Sequence, residues 1–73
     1  MTMAKFVKSK GLTVAIVANQ MGVSRQALSL YGHGRNPRAT TLLRVVKAMN
    51  ELGVPTTMPE LVSALYTEEL DAL

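Results

Sequence analysis

The chain has 73 residues, enough for one domain with one modest hydrophobic core and too few for a separate catalytic domain. It contains no cysteine, which excludes disulfides, thiolate nucleophiles and cysteine zinc sites. The longest apolar stretch, Val14 to Ala18, is far shorter than the roughly 20 residues that a membrane helix needs, and no basic leader precedes a signal-type segment. We therefore expect a cytoplasmic protein that does not enter a membrane.

The charges are separated along the chain. All eight lysines and arginines lie in the first 47 residues, and all five acidic residues lie from Glu51 onward. A segment of fifty residues without a carboxylate carries a positive field that attracts polyanions. This separation favours a nucleic acid as partner, and the alternative is a basic face that serves solubility alone.

Glycine and proline divide the chain into segments that fit about five short helices. The first is expected over about Thr2 to Ser9, with Phe6 among its apolar anchors. The second follows Thr13, a good N-cap, and runs to Met21. The third follows Ser24, another N-cap, and closes at Gly32.

The fourth and fifth helices are predicted from apolar residues at helical spacing. The fourth covers about Thr40 to Leu52 and has a stripe made of Leu42, Val45, Val46, Met49 and Leu52. The fifth begins after Thr57, which forms a capping box with Glu60, and a last turn after Thr67 extends it. No run alternates with period two, so the predicted class is all-α, a compact bundle of about five short helices.

The tract from Thr13 to Gly32 has the pattern of a helix-turn-helix, two short helices joined by a turn that contains glycine. Ala18 is small enough for the two helices to cross closely, and Gly22 can take the positive φ that a sharp turn requires. The residues expected to point inward are Val17, Met21, Val23, Leu28 and Tyr31. A helical hairpin within any small bundle is the alternative interpretation.

Several segments together carry a family resemblance. They are Leu12-Thr13, Ala18, the run Met21 to Gln26, the run Leu28 to Tyr31, the run Gly34 to Pro37, Thr41 to Leu43, and Val46 to Met49. In these the chain resembles the lambda-repressor-like, or Xre-type, helix-turn-helix regulators. The resemblance implies that residues 1–73 form a single DNA-binding domain. The part from Asn36 to Met49 is also similar to antitoxins of two-gene addiction modules, which use the same fold.

The chain departs from the family pattern at three positions near the expected DNA face. Val14 stands where the family often has a phosphate-binding glutamine, and Ile16 and Gly32 stand where it usually has acidic residues. These changes leave an apolar patch of Val14, Ala15 and Ile16. Two roles stay open for it, contact with the first helix and contact with a partner.

In such proteins the third helix places its N-terminal residues against base edges in the major groove. The resemblance therefore implies base contacts by Arg25, whose fork suits guanine, and by Gln26, whose amide suits adenine. Ser29 reaches a base or a phosphate, and Ala27 contacts a thymine methyl group. The residues expected to bind phosphates are Thr13, Ser24, His33, Arg35, Asn36 and Arg38.

These features predict a sequence-specific regulator of transcription that binds double-stranded DNA, acts as a repressor and controls its own gene. The alternative is an antitoxin-type module that binds a toxin protein and regulates its operon. We expect no enzyme, because Ser24 and Ser29 have no nearby base in the sequence. No cofactor is implied, and the single histidine excludes a metal site made of several imidazoles.

A single short recognition helix covers few base pairs, so a homodimer on an inverted repeat is expected. The predicted dimerisation region is the acidic segment 57–73, with an interface of Leu61, Val62, Leu65, Tyr66 and Leu70. The competing interpretation is that this segment caps the core of the monomer and that pairing occurs only on DNA.

Overall fold

A computed structural model describes residues 1–31 and 37–73, with the backbone alone at Glu68. The described residues form a compact all-α fold, which confirms the predicted class. Six helices are present among them: α1 (Met3–Ser9), α2 (Val14–Met21), α3 (Arg25–Ser29), α4 (Ala39–Glu51), α5 (Met58–Leu65) and α6 (Thr67–Asp71). The predicted count of about five rises because the last turn is a helix of its own.

Hydroxyl side chains determine where most of these helices begin. In each case the N-cap oxygen accepts a hydrogen bond from the backbone amide three residues later, which satisfies one of the unpaired donors of the first turn. The N-caps of α1, α2, α3 and α5 are Thr2, Thr13, Ser24 and Thr57. The first helix thus begins one residue later than predicted, whereas the other three caps are confirmed. Only half of the capping box at Thr57 forms, because the Glu60 carboxylate pairs with Lys10 instead.

The turn between α2 and α3 ends the first of these helices in a Schellman motif. The amide of Val23 donates to the carbonyl of Ala18 at 3.0 Å, and the amide of Gly22 donates to that of Asn19 at 3.2 Å. Gly22 has φ 73°, in the left-handed region that favours glycine. The predicted role of Gly22 is therefore confirmed.

The third helix ends at Ser29, earlier than the predicted end at Gly32, which lies outside the described residues. Two residues after that end, the Tyr31 carbonyl accepts a tertiary hydrogen bond from the amide of Met3 at 3.1 Å. The Tyr31 amide instead bonds to the carbonyl of Leu28, three residues back. The chain thus leaves the helix where α1 binds its backbone.

One hydrophobic core joins the first five helices. Its fully buried members include Val7 of α1, Val17 of α2, Leu28 of α3 and Met49 of α4. The predicted inward residues of the helix-turn-helix are buried or half-buried, and so is the predicted stripe of α4. This packing fixes how α3 is held against α1 and α2.

Two residues of the predicted dimer interface belong to this core. Leu61 is 0% exposed and Leu65 is 7% exposed, so the prediction that these two side chains face a partner is wrong. They cover the core of their own chain, as the competing interpretation has it. Val62 and Tyr66 are half-buried, whereas Leu70 is 45% exposed.

Two polar contacts fix α5 against the rest of the bundle. The Lys10 ammonium lies 2.8 Å from a Glu60 carboxylate oxygen, which ties the end of α1 to the first turn of α5. The side-chain amide of Asn50 donates to the carbonyl of Thr56 at 2.9 Å, and its oxygen accepts from the Thr56 amide at 3.1 Å. The bonds from Asn50 satisfy both backbone polar groups of Thr56, the one buried residue in the connector between α4 and α5.

Candidate nucleic-acid interface

A hollow of about 300 Å³ lies where α1, the start of α2 and α3 meet. It is lined by Ala4, Lys8, Thr13, Val14, Ala15, Arg25 and Ser29. Two predicted base contacts, Arg25 and Ser29, are therefore next to a predicted phosphate contact, Thr13. The lysine in the lining was not among the predicted contacts.

The third helix exposes a polar side and buries an apolar one. Arg25 and Gln26 are exposed, Ser29 and Ala27 are half-buried, and Leu28 is fully buried against the core. Because successive residues are about 100° apart around a helix, Gln26 lies nearly opposite the buried Leu28 and is open to solvent. A helix anchored in this way can present its polar side chains to a groove without losing its core contact.

Hydrogen bonds within the helices determine what each hydroxyl can still do. The oxygens of Thr13 and Ser24 accept from backbone amides at 3.2 Å and 3.1 Å, which leaves both O–H groups as donors. The Ser29 hydroxyl instead donates to the carbonyl of Gln26 at 3.1 Å, which leaves its lone pairs as acceptors. Since a hydroxyl has one proton, the first two suit an anion and Ser29 suits an amino group.

The basic residues differ in what they contact. Lys10 pairs with Glu60, the one ion pair within the described side chains, and its ammonium lies 5.9 Å from the centre of the Phe6 ring. Arg44 donates from Nη2 to the carbonyl of Met21 at 2.7 Å, at the C-terminal end of α2. Lys8 and Arg25 instead line the hollow at the N-terminal end of α2. This hollow therefore has two basic residues in its lining and no acidic residue.

A second, smaller hollow of about 210 Å³ lies between the end of α2 and α4. Its lining carries both signs of charge, with Arg44 and Lys47 beside Glu51. The Gln20 side chain donates to the Glu51 carboxylate at 3.4 Å. A carboxylate at this position makes the second hollow less suited to a polyanion than the first.

Of the other residues predicted to bind phosphates, two lie in the described part of the chain and three do not. Arg38 is exposed and is the N-cap of α4, and Ser24 is exposed at the start of α3. His33, Arg35 and Asn36 lie outside the described residues. Of the departures from the family pattern, Val14 is buried in the core and Ile16 is exposed.

Sequence reasoning missed Lys8 as a member of the site. Its position in the half without carboxylates was a signal, but the sequence does not show that it lies beside Arg25, seventeen positions later. Sequence reasoning also passed over Leu30, a large apolar residue that is exposed directly after α3.

In the described part of the chain, no group of three or more histidine, cysteine, aspartate or glutamate residues is arranged to hold a metal ion. None of the helices there has the length and apolar character needed to cross a bilayer. Comparisons with protein-family models, curated proteins and solved structures give no significant match. The family resemblance stays a prediction from the sequence.

Proposed function

We propose that this chain is a sequence-specific regulator of transcription that binds double-stranded DNA, with a lambda-repressor-like domain that inserts α3 into the major groove. The observation that supports it most directly is the first hollow. There Arg25 and Ser29 of α3 lie beside Lys8 and Thr13, in a half of the chain that has no carboxylate. Repression as the outcome rests on the family resemblance.

Each side chain around α3 has a role that its chemistry supports. The major groove is wide enough to admit an α-helix, and there the Arg25 fork binds guanine and the Gln26 amide binds adenine. Ser29, with its lone pairs available, accepts from the amino group of adenine or cytosine. Lys8 and Thr13 contact a phosphate, and such contacts position the protein without reading sequence.

Selection from a pool of random duplexes tests this function. We expect the chain to enrich a defined sequence, and Arg25→Ala or Gln26→Ala to weaken binding to it by about 1–3 kcal/mol each, with relaxed preference at one base pair per half-site. Gln20→Ala is the matched control, because Gln20 is an exposed glutamine whose side chain contacts Glu51 at the other end of α2. No enrichment, or an unchanged preference in both variants, would contradict the function.

The regulator acts as a homodimer in this proposal, through the accessible part of α5 and α6. Val62, Tyr66 and Leu70 follow one another at intervals of four residues and keep exposed surface. Burial, and then the neighbouring Glu69 carboxylate, raise the pKa of the Tyr66 hydroxyl. A two-fold contact here presents two copies of α3 to successive major grooves roughly 34 Å apart.

Sedimentation of the protein, alone and with a selected duplex, tests the dimer. We expect Leu70→Glu to reduce the dimer fraction, because it places a charge at an exposed apolar contact. Leu43→Glu is the control, since Leu43 is an exposed leucine on α4. A dimer that is equally stable in both variants would show that α6 is not the interface, and a monomer on DNA would contradict pairing altogether.

A further inference from the structure

Leu30 is an exposed apolar residue on the polar side of α3. It is 44% exposed and lies outside the hydrophobic core of the described residues. Its backbone keeps helical angles, with φ −73° and ψ −20°, and its amide donates to the Gln26 carbonyl at 3.2 Å. Leu30 therefore lies one helical turn beyond Gln26, on the same side of the helix.

Single exposed leucines are common on protein surfaces, so what distinguishes Leu30 is its position, one turn beyond Gln26 on the side of the helix that is proposed to enter the major groove. Arg25, Gln26 and Ser29 surround it along the chain, and all three suit hydrogen bonds rather than an apolar partner. The major groove of DNA offers one prominent apolar group, the 5-methyl group of thymine. Contact with that methyl group removes apolar surface from water on both molecules.

We propose that Leu30 is a specificity-determining residue that reads the 5-methyl group of a thymine. This inference rests on the proposed DNA-binding function. Four residues of helix advance about 6 Å, and successive bases are about 3.4 Å apart along one strand. The thymine therefore lies one or two base pairs from the pair that Gln26 contacts.

Deoxyuridine is the probe, because it differs from thymidine only in lacking the methyl group. Each thymine of the selected duplex is replaced in turn, and binding is measured by fluorescence anisotropy at fixed salt. For the wild-type protein, we expect a position in each half-site at which the replacement weakens binding about fourfold, the factor for removing one buried methyl group. A second sensitive thymine, such as one that Ala27 contacts, should keep its sensitivity in Leu30→Ala.

Leu30→Ala should weaken binding to the thymine duplex and make the protein insensitive to deoxyuridine at that one position. The two changes are then non-additive, as expected when they remove the same contact. Leu43→Ala is the matched control, because Leu43 is 55% exposed and lies on α4. Circular dichroism checks that each variant keeps its helices. We expect both variants to fold, because both leucines are exposed.

Additive effects of deoxyuridine and Leu30→Ala, with a selected sequence in hand, would overturn this inference and leave the proposed function standing. Insensitivity of the wild-type protein to deoxyuridine at every position would do the same. A Leu30→Ala variant that loses only self-association would identify a second copy of the chain as the occupant, and so would also overturn it. A wild-type protein that selects no sequence would remove the proposed function as well.

Discussion

Lys8 and Lys10 form a matched pair for testing which basic residues contact DNA. Lys8 lies in the last turn of α1 and Lys10 is its C-cap, and replacing either by alanine changes the net charge by the same amount. Lys8 lines the first hollow beside Arg25, whereas Lys10 pairs with Glu60 at 2.8 Å. We expect Lys8→Ala to weaken DNA binding and Lys10→Ala to lower stability.

The magnitudes follow from these contacts. One lost phosphate contact reduces the slope of log affinity against log salt by about 0.9, so the effect of raising salt from about 50 to 200 mM shrinks roughly 3.5-fold. The Lys10 side chain is partly buried, and its ion pair and its contact with the Phe6 ring together contribute about 1 kcal/mol. Losing that contribution lowers the Tm by about 4–8 °C in a domain of this size.

Anisotropy titrations over a range of salt concentrations give the slope, and thermal unfolding followed by circular dichroism gives the Tm. We expect the slope to change in Lys8→Ala alone and the Tm to fall in Lys10→Ala alone. Equal slopes in the two variants would refute the distinction, because net charge rather than position would then govern binding. A slope that changes only in Lys10→Ala would place the DNA on the wrong side of α1.

Three further predictions concern stability and are measured by urea denaturation. Gly22→Ala should cost about 1–2 kcal/mol because φ is 73° there, and Gly22→Asn should cost less; equal costs would show that φ is not the cause. Asn50→Ala should cost about 2 kcal/mol, because it leaves the amide and carbonyl of the buried Thr56 without their partner. Asn50→Asp should cost less than Asn50→Ala, because an aspartate oxygen can still accept from the Thr56 amide. Arg44→Ala should lower stability by about 1 kcal/mol through the lost bond to Met21 and leave the salt slope unchanged, and a changed slope would assign Arg44 to the DNA contact.

Local chemistry made much of the fold predictable from the sequence. A hydroxyl N-cap acts on an amide three residues away, so Thr13 and Ser24 could be recognised without knowing the rest of the structure. The left-handed conformation of Gly22 follows from its place at the end of a helix, and the stripe of α4 follows from helical periodicity.

Contacts between distant parts of the chain were not predictable in this way. Periodicity shows that α5 has an apolar side, but it does not show whether that side covers its own core or a partner, and Leu61 and Leu65 prove to cover their own core. The difference in role between Lys8 and Lys10 arises because Lys10 pairs with Glu60, which is fifty positions away in the sequence. The backbone bond between Met3 and Tyr31 also joins residues that are distant in the sequence.

The proposed binding face is tested most directly by cross-saturation from DNA protons to the amides of deuterated protein in a complex with the selected duplex. This measurement reports direct proximity to DNA and is insensitive to shifts caused by dimer formation. We expect the largest losses of signal at Thr13 and from Arg25 to Leu30, with little loss in α5 and α6. Losses concentrated in α5 or α6, with α3 unaffected, would contradict the claim that α3 enters the major groove.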